Sequence, residues 1–277
     1  MAESLNQQIS DRLVEQQLKA ARVEAQQRRE VWAILTLLQQ DITAAIVTND
    51  PTQWALLSRR RREVETLVAE ELDPLITSRY EQIATMIDAA MLRLAKQETQ
   101  AVERIVNDVT GEEVIEAQPS ERRLRAGVVL GIFPSATTPT DLSAQGAEWW
   151  QRQGSSLSQR LGDQLRVSVS LEESVAQMTQ RVRGTRANGF EDGLMGKARQ
   201  DASRLLTTQV TNALGEARAA VAASNAQVLV LQHVSVLDSR TSTICLGRNG
   251  LRYTADEAHT PIGHTVPYLS GVPYHPN

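Results

Sequence analysis

The chain has one cysteine, Cys245, which excludes a disulfide within it. Aromatic residues are only 4% of the total, and compact cores lean on aromatic rings for large buried areas. Proline is absent before Pro51 and glycine before Gly111. Lysine is scarce: apart from Lys19, Lys96 and Lys197, the 29 basic residues are all arginines. No charged segment followed by an apolar stretch opens the chain. No uninterrupted apolar run approaches the roughly 18 residues of a membrane span. A net charge of -4 gives no strong global field to draw in nucleic acid. These shortages point to a helical body with a thin core, made in a cytosol, with no membrane partner and no support for a DNA contact.

What is present is mostly helix-forming sequence. From Glu3 to Val47 nothing breaks a helix. Apolar residues are sparse at first, then dense at Trp32, Ile34, Leu35, Leu37, Leu38, Ile42 and Ile46. A narrow apolar face suits a partner helix, so Trp32, Leu35, Leu38 and Ile42 are the candidate partner-binding residues. Asp50-Pro51 and Asp73-Pro74 each read as a cap followed by a first helical residue, which predicts helix starts at both places. In the segment from Pro74 to about Val109, Ile76, Tyr80, Ile83, Ile87, Met91 and Leu94 recur every three or four residues, an amphipathic helix about 50 Å long. The run Arg59 to Arg62 invites a nucleic-acid reading. Four successive helical residues point around the whole cylinder, however, and Glu63, Glu65, Glu70 and Glu71 follow, so a solvated face is the expectation.

Composition changes at Gly111. Pro119, Pro134 and Pro139 with several Gly and Ser read as a linker over 111–146, with one short buried segment from Gly127 to Phe133. Helix resumes at Ala147. Ser170 with Glu173 reads as a capping box, and an Ala-rich helix runs from about Lys197 to Ser224. The four glycines between Arg183 and Lys197 follow no strand and match no phosphate-binding loop. Alternation at Val228, Val230, Val234 and Val236 predicts a strand, and Asn249-Gly250 predicts a two-residue hairpin. The expected fold is therefore mainly α. A long N-terminal helical arm (1–110) and a linker (111–146) precede a helical and small α+β C-terminal domain (147–277).

The only cysteine and all four histidines, His233, His259, His264 and His275, fall in the last 45 residues. Within this block "DSRTSTICLGRNG" and the closing "PYHPN" place Asp238, Arg240, Thr241, Cys245, Gly250 and His275-Pro276-Asn277 in order. That order, behind an Arg-bearing helix and a strand, resembles the minor head proteins of tailed phages, the Mu F-like head-morphogenesis family. The resemblance covers roughly 147–277 and not the N-terminal helices. Many relatives carry a further cysteine where this chain has Ser242, and their closing Cys-Arg is not in this sequence.

The resemblance implies a structural minor capsid protein. It would associate with the portal and with other capsid or scaffold proteins, act in the host cytoplasm during assembly, lie inside the virion or at its portal vertex, and be packaged or ejected with DNA. The alternative it implies is the carrier portion of a phage-derived toxin whose enzymatic domain lies beyond residue 277. Zinc is weakly indicated, because Cys245 and His275 are two ligands and a closed site needs four. A thiol nucleophile built from Cys245, His275 and Asp238 lacks an oxyanion device or any second acid–base pair. The expectation is no cofactor and no enzyme, with these residues holding turns and packing.

Overall fold

The computed structural model describes residues 5–50, 57–130, 142–228, 230–233, 243–255 and 259–267. The protein is mainly helical, with a long N-terminal helix and a small antiparallel sheet near the C-terminus, as the sequence predicts. Helix α1 spans Leu5–Asn49 and α2 Leu57–Leu67. A π-helical turn, Val68–Leu72, joins α2 directly to α3, Asp73–Thr110. Then come α4 (Glu121–Leu130), α5 (Leu142–Ser170), α6 (Val175–Arg183) and α7 (Leu194–Ser224). Strand β1 (Val230–Gln232) precedes α8 (Thr243–Arg248), β2 (Arg252–Thr254) and β3 (Pro261–Ile262).

The chain clusters into two compact units. One takes residues 1–24, 89–142 and 207–277; the other takes 25–88 and 143–206. This differs from the expected succession of arm, linker and C-terminal domain, because each unit draws residues from both sides of the expected linker. Helices α1, α3 and α7 each contribute to both units.

In the unit of 25–88 and 143–206 the core is aliphatic. Leu35, Leu38, Ile42 and Ile46 of α1 are fully buried, as are Leu72, Ile76, Ile83 and Ile87 around and within α3. Each such side chain contributes about 1.5–3 kcal/mol when fully removed from water. The two large aromatics share this core: Tyr80 and Trp150 sit with ring centroids 6.4 Å apart, and Gly154 packs on the Tyr80 ring, where an added Cβ would come within 3.2 Å. Burial pushes the Tyr80 hydroxyl pKa upward. The predicted stripe on α3 is buried at all six positions. Asp73-Pro74 does not restart a helix. Asp73 is α-helical, and its N–H donates to the Val68 carbonyl five residues back, so the wider turn carries the chain past the missing Pro74 N–H.

In the other unit, Val102, Ile115 and Val221 form a buried cluster with Leu13, Val106, Val114 and Val228 packed against it. Part of the expected linker is built into this core: Ile115, Leu124 and Val128 are buried. The stretch 115–117 is held by two amides. Asn107 donates to the Ile115 carbonyl at 3.0 Å and accepts from its N–H at 2.8 Å. Asn225 accepts from the N–H groups of Glu116 and Ala117, both at 2.9 Å, and donates to the carbonyls of Ala117 and Val221. Buried Glu98 receives the Nε–H of Arg218 at 2.6 Å, and Arg218 also reaches the Leu13 carbonyl.

Helix α1 is long and apolar enough, by length and composition, to cross a membrane. It holds no uninterrupted apolar run of that length, because single polar residues such as Asp41 interleave the apolar ones. Core helices pass the same test, and α1 carries Val31, Leu35, Leu38, Ile42 and Ile46 as core residues.

Candidate functional site

The terminal block is a three-stranded sheet in the order β1-β2-β3, with α8 inserted between β1 and β2. Val230 pairs with Thr254 and Gln232 with Arg252. Asn249-Gly250 is not a two-residue hairpin. It is the turn from α8 into β2, with Gly250 at a φ of 83°. This left-handed residue lets its N–H reach the His233 carbonyl at 2.8 Å, while the His233 N–H meets the Leu251 carbonyl. The sequence signal for positive φ at Gly250 is therefore correct, but its partner strand lies beyond an intervening helix.

Of the motif residues, Gly250 is described and does backbone work. Cys245 lies in α8, with its side chain outside the described residues. Asp238, Arg240, Thr241 and His275 lie outside them altogether. Among the described residues no three His, Cys, Asp or Glu side chains come together in a metal-binding group.

The rings of His259 and His264 contact backbone. His264 accepts the Val266 N–H at Nδ1 (3.2 Å), so Nε2 carries the proton and donates to the Arg252 carbonyl at 2.9 Å. Its ring meets buried Tyr253 edge-on, centroids 5.0 Å apart. His259, at a φ of 44°, lies 3.3 Å from the Thr254 carbonyl through Nδ1. Burial, and secondarily the charge of Arg248, lowers the His233 pKa. Arg248 itself donates to the Pro267 carbonyl at 2.8 Å, tying α8 to the segment after β3. This arrangement fixes a fold; it offers no nucleophile–base pair among the described residues.

The second candidate region is the dense patch of α1. Leu35, Leu38 and Ile42 are 0% exposed, so they are core residues of their own unit and not surface anchors. Trp32 differs: it is 44% exposed. Its indole N–H donates to Ser203 Oγ on α7 at 3.1 Å, and the Ser203 hydroxyl donates to the Arg199 carbonyl at 2.7 Å. Arg199 reaches back to α1, donating from Nη2 to Thr36 Oγ1 at 3.3 Å and Gln39 Oε1 at 3.0 Å. Sequence reasoning missed Arg199, since nothing in its local sequence separates it from the other arginines. Of the Arg59 to Arg62 run, Arg62 is exposed on α2, while the side chains of the other three lie outside the described residues.

A third region is the glycine-rich turn after α6. Gly184 and Gly193 pack so closely that a Cβ on Gly193 would lie 2.3 Å from the Gly184 nitrogen, and a Cβ on Gly196 would lie 2.6 Å from the carbonyl oxygens of Phe190 and Glu191. Asp192 accepts from the Thr185 N–H and hydroxyl, both at 2.7 Å, and from Asn188 at 2.9 Å. Hydrogen bonding to the Thr185 hydroxyl, to Asn188 and to the Thr185 N–H lowers the Asp192 carboxyl pKa to about 2. The turn displays Phe190 with the Arg183 guanidinium 5.5 Å from its ring centre. Comparison with protein-family models, curated proteins and solved structures finds no match to this chain.

Proposed function

We propose that the chain is a structural, non-catalytic minor capsid protein that acts in phage head assembly and associates with the portal vertex. The observation that carries this reading is the order Asp238, Arg240, Thr241, Cys245, Gly250, His275-Pro276 behind an Arg-bearing helix, which resembles the Mu F-like family. Two features support it. In the described part of the terminal block Gln232, Arg248 and His264 bond backbone carbonyls, an arrangement compatible with a non-catalytic role. The exposed Trp32 beside Arg199 leaves an aromatic anchor for a partner.

The test is co-purification of the full chain with the portal protein encoded beside it, at low and moderate salt. Association with portal rings or procapsids is expected, and Trp32→Ala weakens it by roughly 2 kcal/mol, about thirty-fold. A full chain that associates with neither at low salt removes the mechanism. Absence of portal and terminase genes next to this one counts equally against it.

A further inference from the structure

We propose that the exposed face of α1 between Asp11 and Arg22 is a self-docking surface, on which a second copy of this chain lays the same face antiparallel. This part of α1 packs its other side on its own unit: Leu13 lies against the cluster of Val102, Ile115 and Val221, and Ala20 is buried. At about 100° per residue, Leu18 points almost directly away from both. It is 68% exposed, the most of any large apolar side chain among the described residues. Val14, one turn earlier, is also exposed. A single exposed leucine is ordinary. What sets this one apart is the symmetry of its neighbours.

Val14 and Ala21 flank Leu18 on one side of the face, and Glu15 and Arg22 flank it on the other, all within about 60° of it. The members of each pair are seven residues apart, with Leu18 between them. A two-fold axis through Leu18, perpendicular to the helix, brings each side against the same side of the copy in reverse order. Val14 then faces Ala21 of the second copy, large against small. Glu15 faces Arg22 of the second copy, acid against base. The axis makes each contact twice and sets Leu18 against its own counterpart. A parallel copy would instead lay Glu15 and Arg22 along Val14 and Ala21, charge against apolar surface. Neither Glu15 nor Arg22 has a hydrogen bond or ion pair among the described residues, whereas neighbouring Arg12 reaches Asp108 at 4.0 Å. Both charges are therefore available across the seam. The seam is short, so the dimer is weak and salt-sensitive.

This inference stands apart from the head-assembly reading, and portal association has no bearing on its test. Sedimentation equilibrium of the full chain measures self-association. At low salt the average mass rises towards that of a dimer between about 10 µM and 1 mM, and about 1 M salt reverses the rise. Glu15→Arg and Arg22→Glu each weaken the dimer roughly ten-fold or more, because each sets like charges together twice. Mixed in equal amounts, these two variants associate with each other, and the double variant associates with itself, since both restore opposite charges across the seam. Leu18→Ala weakens the wild-type dimer by about ten-fold. Circular dichroism of every variant matches the wild type, because the altered side chains are exposed. The proposal is overturned by a monomer at every concentration, by single charge variants that self-associate as well as the wild type, or by a mixture of the two that stays monomeric.

Discussion

Asn225 closes four backbone hydrogen bonds with one buried amide. Asn225→Ala leaves two N–H groups and two carbonyls to find other partners, at a cost of about 2–4 kcal/mol. Urea unfolding reads that cost directly, and a loss below about 1 kcal/mol would mean that water replaces the amide. Gly193 is a second fixed point. Gly193→Ala sets a Cβ against the Gly184 backbone, and a loss of about 3 kcal/mol is expected in the same assay. Asp192 adds a pH dependence whose sign follows from its lowered pKa. Its contribution is complete above the ordinary value of 3.8 and is lost as pH falls through about 2. Amide exchange at Thr185 should therefore quicken over that window, and Asp192→Asn should abolish the dependence. The sequence shows these glycines but not their roles, because close approach is a property of two segments and each segment alone reads as loop.

At the scale of elements, the spacing of buried residues around α3 explains both a success and a miss. From Leu72 onward the buried positions step by three or four, which is why the stripe is legible. Between Leu67 and Leu72 the step is five, one residue more than an α-helical turn accommodates, and the π turn absorbs the excess. That step was readable, but Asp73-Pro74 is also a common start signal, and the two readings compete. Pro74→Ala should accordingly change stability by less than about 1 kcal/mol, whereas Gln97→Pro, on an exposed face in mid-helix, should cost about 3 kcal/mol or more. Denaturant melts of the two variants decide between a built-in π turn and an ordinary proline kink. The capping box also shifts by one turn. Helix α5 continues to Ser170, whose hydroxyl donates to the Arg166 carbonyl, and Ser174 with Gln177 caps α6. The stretch "SLEESVAQ" offers both boxes, and only the length of α5 selects the second. Ser174→Ala should cost about 1 kcal/mol.

For the whole molecule, the mainly helical class and the small terminal sheet were legible from periodicity and composition. The grouping of segments was not, because it depends on pairs far apart in sequence. Thr207 meets Glu24 at 2.8 Å, Trp32 meets Ser203, and the Leu13 carbonyl meets Arg218. A fragment of residues 1–110 lacks every one of the α7 partners in these pairs. Its circular dichroism should show much less helix per residue than the full chain, and a fully helical fragment would restore the idea of a separate arm. The same long-range pairing sets a condition on synthesis. The apolar face of α1 leaves the ribosome early, yet α7, which holds Trp32, Thr36 and Gln39, ends at Ser224. At about 5–20 residues per second, that face waits some ten to thirty seconds for its partner. During that interval Trp32, Thr36 and Gln39 are without the α7 side chains that hold them.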